Sequence, residues 1–224
     1  MTVSGHTRKR LADTLGSQFV SDEISDRLDV FTNVNDNLVL VDTAWEDLRV
    51  TLTSAFVPAT GGPAYAQFKD DNDSSTGVFL PAFDDASDEQ VYFTAQLPHS
   101  YKLGTDIKPH IHWTPAANGT SGQKVSWGLE YTWAEYGDDY GYTTIIYAND
   151  HTPADATLTA GTHYISAFDD ISSSVDSVSS ILVCRLFRDA SGNGGTDDLA
   201  QDAFAISFDF HFQVEKLGSA TEYA

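Results

Sequence analysis

Ala203-Phe204-Ala205-Ile206-Ser207-Phe208-Asp209-Phe210-His211-Phe212-Gln213-Val214 is the stretch that decides the fold class. Phe204, Ile206, Phe208, Phe210, Phe212 and Val214 alternate with Ala205, Ser207, Asp209, His211 and Gln213. Successive side chains of a strand point to opposite faces, so the pattern predicts one long strand with its apolar face on a core.

Upstream, residues 90–97 alternate the same way, with Val91, Phe93, Ala95 and Leu97 on one face. Residues 125–133 place Val125, Trp127, Leu129, Tyr131 and Trp133 in register, and 180–188 is a continuous apolar run. Further strands are expected at 37–43, 46–53, 78–83, 106–113, 142–147 and 157–165. Turn chemistry separates them, as in Ala59-Thr60-Gly61-Gly62-Pro63 and Asp70-Asp71-Asn72-Asp73-Ser74-Ser75-Thr76-Gly77. Many short strands with almost no helical periodicity predict an all-β protein, and the absence of alternating helices excludes a parallel α/β sheet. More than seven strands and a single cysteine favour a jelly-roll-like antiparallel β-sandwich over an immunoglobulin core. Residues 1–35 alternate poorly, carry Arg8-Lys9-Arg10 and read as an extended N-terminal arm, with a short helix over 21–30. The sandwich is expected over 36–224.

The chain has 33 acidic and 12 basic residues, a formal net charge of −21. A nucleic-acid partner requires phosphates to be neutralised by Lys and Arg, so none is expected. No apolar stretch approaches the ~18 residues of a membrane span, and the charge disfavours anionic lipid, so no membrane partner is expected. Cys184 has no second cysteine to pair with and sits among Ile181, Leu182, Val183 and Leu186, where a small buried apolar residue is the simplest reading.

Two groups could hold a metal. On a strand His110 and His112 point to one face and could share an ion. With Gly104 six residues before His110, the stretch resembles the opening of the cupin motif, and cupins are metal-binding jelly rolls. The Glu expected a few residues later is missing from Thr114-Pro115-Ala116-Ala117-Asn118, and a third ligand would have to come from His99, His163 or His211. The plainer alternative is a hydrogen-bonded or solvent-facing pair with Ile111 and Trp113 packed inward. Asp70, Asp71 and Asp73 crowd oxygens in one loop and suggest calcium, although the spacing is not that of an EF-hand. Neither a Gly-x-Ser-x-Gly elbow nor a reactive cysteine setting is present, so no catalytic residue is singled out and a non-enzyme is expected.

A set of motifs then narrows the reading. It comprises Trp45-Glu46-Asp47-Leu48, Gln96-Leu97-Pro98-His99, Gly104-Thr105-Asp106 and Pro109-His110-Ile111-His112-Trp113. It continues with Trp127-Gly128-Leu129-Glu130-Tyr131-Thr132-Trp133, Cys184-Arg185-Leu186-Phe187-Arg188-Asp189-Ala190 and Phe208-Asp209-Phe210-His211. Together, over about residues 45–217, they resemble a family of small proteins encoded among the structural genes of tailed bacteriophages. The resemblance implies a bacteriophage virion structural protein on the particle exterior, as capsid decoration or a tail or fibre accessory, and supplies no catalytic residues. Its partners would be capsid or tail subunits and further copies of itself in a homo-oligomer, with residues 1–35 as anchor. Tyr136, Tyr140 and Tyr142, set among Gly and Asp, suit a subunit contact or a glycan platform, so a carbohydrate-binding module is the alternative.

Overall fold

The computed structural model describes residues 31–34, 37–72, 76–148, 157–173, 177 and 179–219. The possible helix over 21–30, the basic cluster Arg8–Arg10 and Asp73 lie outside the described residues. The first strand among the described residues is β1 (Phe31–Val34), inside the segment read as an arm.

The described chain is all-β, two antiparallel sheets face to face in a jelly-roll-like sandwich. β11 (Ala203–Lys216) is the spine of the larger, seven-stranded sheet. One edge of β11 pairs with β6 (Lys108–Pro115), which in turn pairs with β9 (Tyr164–Ala167). Its other edge is shared by β2 (Asn37–Val50) over residues 208–216 and by β4 (Val78–Phe83) at Ala203 and Phe204. β1 flanks β2, and β3 (Ala64–Lys69) flanks β4. The second sheet runs β5 (Gln90–Gln96), β10 (Ile181–Arg188), β7 (Trp127–Ala134) and β8 (Thr144–Ala148).

The core lies where the sheets meet. Phe208, Phe210, Phe212 and Val214 of β11 and Ile111 and Trp113 of β6 face Val91, Ala95, Trp127, Leu129, Leu182, Cys184 and Leu186 of the other sheet. Edge-to-face pairs such as Phe83–Trp127, with centroids 5.2 Å apart, add specific geometry to the burial. The alternation expected for β5 holds. In β7 it holds with Tyr131 and Trp133 only partly buried against the core.

The alternation of β11 is broken where the sequence looks regular. Ala205 pairs with Trp113 but Ser207 pairs with His112, so two steps on β11 face one on β6 and Ile206 is the extra residue of a bulge. The parity therefore flips. Ala203 and Ala205 join the core before the bulge, while Phe204 and Ile206 leave the expected face. Phe204 packs edge-on against Phe68 of β3, and Ile206 lines a groove on the outer face.

Two strand expectations need correction, and one strand was not foreseen. The strands expected at 37–43 and 46–53 are one, β2: Gln213 and Val214 of β11 pair with Trp45 and Ala44 across the expected break, before the register shifts to place Lys216 opposite Val39. The strand at 157–165 reduces to a bridge at Thr157 and β9, since only Tyr164–Ala167 lies alongside β6. The segment 64–69, for which no strand was expected, is β3, held by its register against β4.

The acidic side chains are not all outside. Arg188 is fully buried and donates five hydrogen bonds: two to Asp197 (2.9 and 2.8 Å), and one each to the carbonyls of Phe83 (3.1 Å), Gln201 (2.7 Å) and Leu199 (2.7 Å). That exhausts the guanidinium's donors and fastens the loop after β10 to β4. Asp189, also buried, accepts from the backbone N–H groups of Asn193 and Gly194 and from the Ser126 hydroxyl.

Candidate metal centre on the outer face of the larger sheet

With Ile111 and Trp113 buried, β6 turns His110 and His112 to the outer face, as its period requires. β11 brings Asp209 opposite His110 and Ser207 opposite His112, a register that exists only because of the bulge at Ile206. On the other side of β11, Asp47 lies opposite His211. His163 precedes β9 and reaches the same place. Of the three candidates for a third partner, His163 and His211 join the pair. His99 does not: its ring bonds the hydroxyls of Ser179 (2.8 Å) and Ser219 (2.7 Å).

Three donor atoms converge. Nε2 of His110 and Nε2 of His112 are 3.0 Å apart, and Oδ2 of Asp209 lies 2.8 Å from the second and 3.5 Å from the first. His110 and Asp209 are buried, at 6% and 4% exposure. Around this centre, Nδ1 of His112 is 2.7 Å from Nε2 of His163, and the Ser207 hydroxyl donates to Oδ1 of Asp209 at 3.4 Å. The His211 ring stacks on His110 with centroids 4.2 Å apart and is held by Asp47 at 2.7 Å. Lys108 pairs with Asp170 at 2.5 Å on the rim. The groove over the cluster encloses about 600 Å³ and has apolar walls from Ile165, Ala167, Phe168 and Ile206.

Burial is the main cause that lowers the His110 pKa, aided by the neighbouring His211 and His112 rings against the pull of Asp209. Burial also lowers that of His112, and here too Asp209 opposes it. Both shifts favour the neutral imidazole, the form in which a ring nitrogen offers a lone pair.

The sequence singled out His110 and His112 and offered His163 and His211 among the candidates for a third partner, but missed Asp209 and Asp47. Asp209 was legible only as part of the polar face of a strand. The acidic loop behaves differently. Asp70 accepts from the backbone of Asn72 (2.9 Å) and from Gln67 (3.4 Å), and Asp70 and Asp71 are exposed.

No protein-family model matches the chain, and no curated protein matches it. Among solved structures, that of TmCBM61 in complex with β-1,4-galactotriose is similar, with 9% identity and a TM-score of 0.30 over 77% of this chain and 88% of that one.

Proposed function

We propose that this chain is a non-enzymatic structural protein of the exterior of a tailed-phage particle, on the capsid or tail, joined to neighbouring subunits through its β-sandwich. The observation that carries the reading is the β3–β4 hairpin. Among the described residues its strand pairing with the rest of the sheet is limited to Ala203–Phe83 and Phe204–Ala82. Tyr65 and Phe79 lie on one face of it at 45% and 49% exposure, and Val78 is 58% exposed. A two-stranded ribbon with bare apolar side chains is marginal in water and presents an open edge, so cover by another subunit stabilises it. The motifs that resemble phage structural proteins support the same reading, and the charge of −21 suits a surface packed at high copy number.

A glycan-binding role has one observation in its favour. A cleft of about 300 Å³ beside β7 is lined by Tyr131, Trp133 and the fully exposed Tyr142 together with Glu135, Asp138 and Asp139, a mix of stacking faces and hydroxyl acceptors.

Light scattering over a range of salt tests the assembly reading. The full chain is expected to be oligomeric, and Tyr65→Asp/Phe79→Asp to be a folded monomer. A wild-type chain that stays monomeric at every concentration and salt would overturn it. Glycan-array binding lost in Tyr142→Ala would put carbohydrate capture in its place.

A further inference from the structure

We propose that His110, His112 and Asp209 bind a divalent first-row transition cation, Zn²⁺ being the one their donor set suits best, and so clip β6 to β11 on the outer face. The site is independent of how the protein assembles.

The argument begins with the triangle formed by the two Nε2 atoms and Oδ2, whose sides are 3.0, 2.8 and 3.5 Å. Donors bound at about 2.0–2.2 Å to one ion are separated by roughly 3.0–3.4 Å in tetrahedral or octahedral geometry. The observed triangle falls around that range, and an ion about 2.1 Å from each corner would sit roughly 1 Å out of its plane. Hydrogen bonds account for the triangle less well. A neutral imidazole has one N–H and one lone pair, and a hydrogen bond wants a nearly straight D–H···A angle. One N–H at Nε2 of His112 cannot point at Asp209 and at His110 together. A cation at the centre takes all three lone pairs at once.

The surroundings are those of an organised site. A ligating imidazole is usually oriented through its other nitrogen. Nδ1 of His112 meets Nε2 of His163 at 2.7 Å, which leaves Nε2 of His112 as the lone-pair side when Nδ1 carries the proton. The Ser207 hydroxyl steadies Asp209, and the His211 ring, fixed by Asp47, packs on His110. Two nitrogens and one carboxylate select against Ca²⁺ and Mg²⁺, which want oxygen. The groove above the cluster leaves at least one coordination position for water or an acidic group.

The test uses the full chain stripped with EDTA and titrated calorimetrically with Zn²⁺ in excess Ca²⁺ and salt, which occupy the acidic surface. The expected result is about one equivalent bound, abolished in Asp209→Asn and in His112→Ala. His163→Ala should weaken it about 10- to 100-fold, and His99→Ala should leave it unchanged. The visible spectrum of the wild-type Co²⁺ form is a readout that does not depend on variants folding: intense low-coordinate bands are expected. A hexaaqua-like Co²⁺ spectrum, Zn²⁺ uptake well below one equivalent, or equal losses in His99→Ala and His112→Ala would overturn the proposal.

Discussion

Replacing Arg188 by Met tests the account of the buried ion pair. The side chains of Arg188 and Asp197 are 0% and 1% exposed, and the guanidinium makes five hydrogen bonds. Met fills much of the volume but leaves Asp197 as an uncompensated buried carboxylate and the carbonyls of Phe83, Leu199 and Gln201 without this donor. Breaking a buried pair from one side costs about 3–5 kcal/mol. For a chain of this size about 2–4 °C of Tm accompanies each kcal/mol, so the midpoint should fall by roughly 6–20 °C. The pH dependence sharpens the expectation. Burial holds the Asp197 carboxyl above its ordinary value, outweighing the opposing pull of Arg188. A carboxyl raised in the folded state contributes stability that is present below its unfolded pKa and lost as pH rises through the folded one. Removing Arg188 raises it further, so the deficit of the variant should be greatest at neutral pH and shrink in acid, where Asp197 takes up a proton. Thermal unfolding by circular dichroism across that range measures both effects. A fall no larger than that of the exposed control Arg49→Met, or a deficit that grows on acidification, would refute the reasoning.

Gly128 pairs with Phe187 across β7 and β10, and a Cβ there would land inside the Phe187 ring. Gly128→Ala should cost about 1–3 kcal/mol by overpacking, read as a lower urea midpoint, whereas Gly141→Ala, with open space around its Cβ, should change little. Burial pushes the Cys184 thiol up to about 12. Thiolate reagents should therefore leave the native protein untouched at pH 8 and label it at the rate of unfolding. Trp113 donates to the Ser166 hydroxyl at 2.9 Å inside the core, so Trp113→Phe should cost about 2–4 kcal/mol in a denaturant titration, through a cavity and an orphaned hydroxyl.

Much of the fold was legible because its signal is local. Val91, Ala95 and Leu97 declare a buried face through period-two spacing alone, and the structure buries all of them. The breakdown at Ile206 was not legible. A bulge is set by how β11 meets β6, and Phe204 and Ile206 are as apolar as the residues that do enter the core. The buried charged side chains of Arg188, Asp189, Asp197 and Asp209 were not legible for a similar reason. A run such as Cys184-Arg185-Leu186-Phe187-Arg188 does not say that five acceptors, four on residues 197–201 and one on Phe83, await the last side chain.

The sequence by itself determined that the chain is a β-sandwich and that His110 and His112 share a face, because alternation is carried by neighbouring residues. Only the tertiary structure decided that Asp209, about a hundred positions away, would stand against those imidazoles with His163 behind them. That meeting depends on strand order and on a one-residue shift in register, and both are settled by packing across the whole sandwich.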